Sequence, residues 1–190
     1  ASSSNLTGEI VFSNGAVKYR DANKDQQTIE GLTYADDTDI DVVLKWTATD
    51  YSVSIDGGTT FFGPYVAINT GTATETYQIR IGSSGKESAK ELLADDIVIA
   101  DANDTEILNE DFETGYVDGE DLSTTYSSSA EATVRSIDSS INLVARMADT
   151  TTTADAELRL TTAALAEGSI STTLKLQAVA GFTATTGVDE

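Results

Sequence analysis

A chain of 190 residues with 39% hydrophobic and 7% aromatic content is long enough to bury the core of one sizeable domain, and too apolar for disorder. Its 11 Lys and Arg stand against 32 Asp and Glu, a formal charge of -21, which argues against nucleic acid or an anionic membrane surface as partner and points to divalent cations. With no Cys and no His there is no thiol nucleophile, zinc site of those ligands, Ser-His-Asp triad or histidine base, so catalysis would fall to carboxylates, Tyr, Lys or Ser.

The opening ASSSN reads like a mature terminus left by a signal peptidase, and with the acidity and abundant Ser, Thr and Gly it gives an extracellular or cell-surface expectation. No run is long and apolar enough for a membrane-spanning helix. An acidic polysaccharide could be met only through bridging cations. Asn5-Leu6-Thr7 and Asn103-Asp104-Thr105 are N-glycosylation sequons.

EIVFSNGAVKYR sets Ile10 and Phe12 before Asn14-Gly15, and Val17 and Tyr19 after it, which predicts a hairpin closed by a type I′ turn. In DANKDQQTIE the oxygen-bearing Asp21, Asn23 and Asp25 alternate, with Glu30 beyond, like the ligands of a calcium loop, although the mid-loop Gly and final spacing of an EF-hand are missing. A solvated acidic loop is the competing reading. The same choice applies to Asp36, Asp37, Asp39 and Asp41 in YADDTDID.

VVLKW places Val42, Leu44 and Trp46 on one face, which assigns Trp46 to the core rather than to a sugar platform. Tyr51, Val53 and Ile55 alternate with serines up to a turn at Asp56-Gly57. In TTFFGPY the adjacent Phe61 and Phe62 must point to opposite faces of a strand, so one of them, with Tyr65, is the candidate carbohydrate platform. YQIRI and DIVIA continue the two-residue period through Tyr77, Ile79, Ile81, Ile97 and Ile99. Between them KESAKELLA, Lys86 to Ala94, reads as a short helix, as does AALAE further on.

Strands resume with EATVRSI, with INLVARM (Ile141, Leu143, Ala145, Met147), with AELRL (Ala156, Leu158, Leu160) and with SISTTLKL (Ile170, Leu174, Leu176). Many strands separated by Gly, Asn and Asp turns predict an all-β antiparallel sandwich. No repeat and no Pro- or Gly-rich linker separates 1–104 from 105–190, and halves of that size would each be marginal alone, so residues 1–190 are expected to form one domain.

Three phrases carry a resemblance. ILNEDFETG is similar to the opening of jelly-roll carbohydrate-binding modules, and LADDIVIAD to their closing strand. WTATDYSVSIDGGTTFFGPY is similar to a strand and hairpin of concanavalin A-like and laminin-G-like sandwiches. Here the closing phrase precedes the opening one, so the chain resembles a circular permutant in which 1–104 corresponds to the second half and 105–190 to the first. The new ends fall at ASSSN and TTGVDE. The resemblance implies a structural Ca²⁺ where first and last strands meet, at Asp96 and Glu113 with help from Asp111. The carboxylate strings of the hydrolases of that class are absent; ADAEL supplies only Asp155 and Glu157, and a catalytic His is missing, so no enzyme is expected.

Two functions follow. The permuted order favours a non-catalytic secreted structural protein that assembles with copies of itself, head to tail, by exchanging strands or half-sandwiches into filaments or a surface layer. Ile10 and Phe12, on the apolar face of EIVF, are the expected assembly residues. The alternative is a calcium-stabilised, lectin-like module for polysaccharide.

Overall fold

The computed structural model describes residues 6–82, 88–126, 128–129, 131–137, 142–151 and 155–180. Outside them lie Asn5 of the first sequon, Lys86 and Glu87 of the expected helix, Ile141, and the ends ASSSN and TTGVDE.

The protein is all-β. Its strands are β1 (Ile10–Ser13), β2 (Ala16–Arg20), β3 (Gln26–Thr33), β4 (Asp39–Trp46), β5 (Asp50–Ser54), β6 (Phe62–Val66), β7 (Thr74–Ile81), β8 (Lys90–Asp101), β9 (Glu106–Glu110), β10 (Ala132–Ser136), β11 (Leu143–Ala148), β12 (Ala156–Leu165) and β13 (Gly168–Ala178). One 3-10 turn, Leu122–Thr124, is the only helical element among the described residues. Pairing is antiparallel between β1 and β2, β2 and β3, β4 and β5, β5 and β6, β8 and β11, and β10 and β11.

Both expected helices are corrected. Lys90 to Ala94 begins β8, where Leu92, Leu93 and Ala94 face Met147, Arg146 and Ala145 of β11. A segment of helix formers this short cannot offset the cost of nucleating a helix, and the ladder supplies its hydrogen bonds instead. In AALAE, residues Ala163 to Leu165 finish β12, and the chain bends at 166–167 into β13. The expected hairpin at Asn14-Gly15 is present: φ is 52° and 74° at the two residues, and Ser13 faces Ala16.

The described chain divides into two compact units that do not coincide with the halves 1–104 and 105–190. The first takes residues 6–75, 97–109 and 162–173, and the second takes its residues from 76–96, 110–161 and 174–180. In the first, β1, β2 and β3 form one sheet, while β8, β13, β4, β5 and β6 follow in that order in another, with β9 on β8. Its core gathers Val17, Ile40, Trp46, Tyr51, Val53 and Ile97. The Tyr51 hydroxyl receives the Arg20 N–H at 3.1 Å and donates to the Arg20 carbonyl, tying β5 to β2. Gly8 lies so close to the Tyr51 ring that a Cβ would stand 2.7 Å from it.

In the second unit β10, β11, β8 and β13 are successive neighbours, and β7 pairs with β12. The expected inward residues Ala156, Leu158 and Leu160 are fully buried, with Phe112, Leu122 and Met147. Period two thus decided which side chains are interior. β9 lies beside β8, although Phe112 falls just beyond the end of β9, at φ 58°.

Candidate functional site

The junction acids sit where β8 loses its regular form. Asp96 has φ 49°, and its N–H donates to the Asp95 carboxylate at 2.9 Å. Asp111 accepts the Glu113 N–H at 3.0 Å, and Glu113 accepts the Leu143 N–H at 3.0 Å. Burial, reinforced by the negative charges of Asp96, Glu113 and Asp111, pushes the half-buried Asp95 carboxyl up to about 6. The expected ligands Asp96, Asp111 and Glu113 are therefore within electrostatic reach of one group, Asp95, which the sequence reading passed over. Its adjacency in the Asp95-Asp96 pair was the available signal. Among the described residues no three acidic side chains are placed to hold a metal ion.

The Asp21, Asn23 and Asp25 pattern is spent on a turn. Asp21 Oδ1 accepts the N–H groups of Asn23 and Asp25, each at 2.9 Å, and Oδ2 accepts Gln27 Nε2 at 3.0 Å. These bonds, the one to Asp25 first, hold its carboxyl below the usual range. Lys24, at φ 72°, donates to the Asp21 carbonyl. The β8–β9 hairpin repeats the device: Asp101 Oδ1 accepts the N–H groups of Asn103 at 2.8 Å and Thr105 at 3.0 Å, and Asp104 has φ 58°. DANKD and DANDT are one three-residue loop written twice, a type I turn closed by a left-handed residue. Of the second acidic run, Asp41 accepts the Thr173 hydroxyl at 3.0 Å. Asp56, held down to about 2 by the Ser54 hydroxyl and the Thr60 N–H, organises the turn after β5.

Among the aromatics Phe61 is 37% exposed, with Lys45 Nζ 5.2 Å from its ring centre. Phe62 opens β6 half-buried opposite Val53. Tyr65 is occupied by packing: its ring stacks on Tyr19 at 3.6 Å and meets Tyr51 at 5.7 Å. Trp46 is buried, its Nε1 directed at the Leu165 carbonyl at 3.4 Å. Of the three platform candidates, Phe61 presents the most accessible ring.

Ile10 and Phe12 are half-buried in β1, where Phe12 meets Tyr34 edge-on at 5.2 Å. β1 is an outer strand of its sheet. The other outer strands each carry a charge or a Pro: β3, the opposite edge of the same sheet, has the exposed Glu30, and β9 has Glu106 and Glu110. β6 carries Pro64, which has no N–H to offer, and Gly119 and Glu120 bond Val134 of β10 along its outer side. β7 and β12 carry Glu75, Arg80, Glu157 and Arg159. The four residues of β1, IVFS, include no charge and no Pro.

Two further clusters escaped the sequence reading. Glu110 Oε2 accepts the hydroxyls of Tyr116, at 3.1 Å, and Tyr126; burial raises both phenols above their ordinary value. Glu91, fully buried in β8, is bonded by Arg135 Nη1, by Arg146 Nε at 2.6 Å and by Gln177 Nε2 at 2.7 Å. The sign of the second was a Glu inside an apolar strand, which demands a counter-charge.

No protein-family model, curated protein or solved structure matches the chain.

Proposed function

We propose that this is a non-catalytic, extracellular structural protein that assembles with copies of itself through the outer edge of β1, adding subunits head to tail. The single observation behind this reading is the contrast between guarded edges and the unguarded β1. An uncharged edge offers a row of backbone donors and acceptors to any strand laid beside it, and a heterologous contact that does not close on itself propagates. The residues before β1 are held to their own subunit: Thr7 bonds Thr74 at 2.9 Å, Ile68 donates to the Thr7 carbonyl, and Glu9 bridges Arg20 at 2.5 Å. We also infer a single permuted β-sandwich, a reading supported by the pairing of β8 with β9 across the junction.

Electron microscopy of Val11→Lys against the unmodified protein is the test. A charge in β1 should abolish fibres while leaving a folded monomer, whereas deletion of residues 1–12 would also remove Gly8 and Glu9 and so confuse assembly with folding. An unmodified protein that stays monomeric at every concentration rejects the proposal.

The exposed Phe61 ring with its neighbouring Lys45 favours a second reading, a carbohydrate-binding module, whose Ca²⁺ would have to draw together Asp96, Asp111 and Glu113, since as they stand these acids form no metal site. There a glycan would bind saturably and be lost in Phe61→Ala, and chelation would lower the melting temperature.

A further inference from the structure

We propose that the cavity beside Glu91 in the second unit binds a hydroxylated carboxylate the size of one sugar ring, a hexuronate, through Arg135 and Arg146. The proposal is independent of the filament reading. The cavity is an open depression of about 230 Å³ lined by Glu91, Asp118, Thr133, Arg135 and Arg146, with Gly119 beside them. That is below the roughly 300–1,000 Å³ of sites for drug-sized ligands, and suits one ring rather than a peptide segment.

Spare guanidinium donors, rather than net charge, favour a carboxylate. One guanidinium is enough to neutralise a buried carboxylate, yet Glu91 has two, plus the Gln177 amide. Each arginine carries five N–H donors, and among the described residues each gives Glu91 one bond. Arg135 and Arg146 remain 35% and 27% exposed, so guanidinium donors are left over, while Asp118 offsets the positive charge of the triad and leaves the lining neutral. Glu91 meanwhile fixes both guanidinium groups in place, which lowers the entropy lost when they take a second carboxylate.

The remaining lining distinguishes one carboxylate from another. Asp118 accepts the Ser136 N–H through Oδ1 at 2.8 Å. Its charge repels a bare anion, but a carboxylate oxygen also accepts from ligand hydroxyls, and Thr133 adds a hydroxyl that both donates and accepts. A sugar acid gains from these groups what acetate cannot.

Titration of the whole protein with glucuronate, glucose, acetate and an oligo-aspartate peptide, read by NMR at the arginine Nε resonances, tests the assignment. Glucuronate should give saturable shifts at Arg135 and Arg146, glucose none, and Arg146→Gln should weaken glucuronate at least about tenfold. Because that variant strips a buried carboxylate of a partner and can fail to fold, Asp118→Asn is the second arm, since its amide oxygen still serves Ser136. There acetate should bind roughly two- to fivefold tighter, the range for one screened surface charge, and the preference for glucuronate over acetate should shrink. Absence of saturable arginine shifts with glucuronate overturns the proposal, as does equal binding of glucose. Tighter binding of oligo-aspartate than of glucuronate overturns it too, in favour of a site for protein carboxylates.

Discussion

Replacing Asp95 by Asn removes one negative charge from the junction cluster while keeping the oxygen that accepts the Asp96 N–H. The native carboxyl is raised from 3.8 to about 6, a shift of roughly two units, and at about 1.36 kcal/mol per unit the ceiling on its effect is about 3 kcal/mol. Because the side chain is half-buried, solvent screening reduces this to about 1 kcal/mol. The sign follows from linkage. Between pH 3.8 and about 6 the folded chain holds this proton more tightly than the unfolded chain, so stability falls as pH rises through that window and is flat above it. Asp95→Asn should therefore gain about 1 kcal/mol on the native protein at pH 7.5 relative to the same comparison at pH 4.5. Urea unfolding followed through the fluorescence of the one Trp, buried at position 46, measures it. The native-minus-variant difference isolates Asp95 from Asp21, Asp56 and Asp101, whose carboxyls are held low and act in the opposite direction. A pH-independent difference, or a variant less stable than the native protein at pH 7.5 without Ca²⁺, refutes the electrostatic account.

Asp21→Ala and Asp101→Ala each leave two backbone N–H groups of a three-residue loop without their carboxylate and should lower the denaturant midpoint, with Asn in either place largely tolerated. Gly168→Ala would put a Cβ 2.4 Å from the Ala100 carbonyl oxygen and 2.9 Å from the Trp46 ring, a cost of roughly 3 kcal/mol with a shifted Trp46 emission. Gly71→Ala, with no atom within 4 Å but φ 72°, should cost only about 1 kcal/mol in the same assay. Phe61→Ala, at a ring 37% exposed beside Lys45, should cost only roughly 1–2 kcal/mol, so loss of glycan retention on a column by a variant that still unfolds cooperatively would report binding.

The acid patterns show why site reading from sequence stopped short. Alternating Asp21, Asn23 and Asp25 present oxygens at the spacing of a cation loop, but the same residue types cap backbone N–H groups, and only the path of the chain decides between the two uses. The second copy at Asp101 to Thr105 was visible as the shared letters DAN, a signal that pointed to turn chemistry. Glu91 was hidden differently. It lay within an expected helix, and its partners Arg135, Arg146 and Gln177 are 44, 55 and 86 residues away in the chain.

The sequence by itself determined the all-β class, the type I′ turn at Asn14-Gly15 and the interior placement of Trp46, Ile97, Leu158 and Leu160, because strand periodicity and turn chemistry are local properties of the backbone. Tertiary structure decided that Lys90 to Ala94 is a strand, since β11 offers ladder partners that a helix over Lys86 to Ala94, too short to offset its own nucleation, could not match. It also decided which carboxylates are spent on loops, which meet arginines and which repel one another. Those outcomes depend on distances between residues remote in sequence, and no spacing along the chain encodes them.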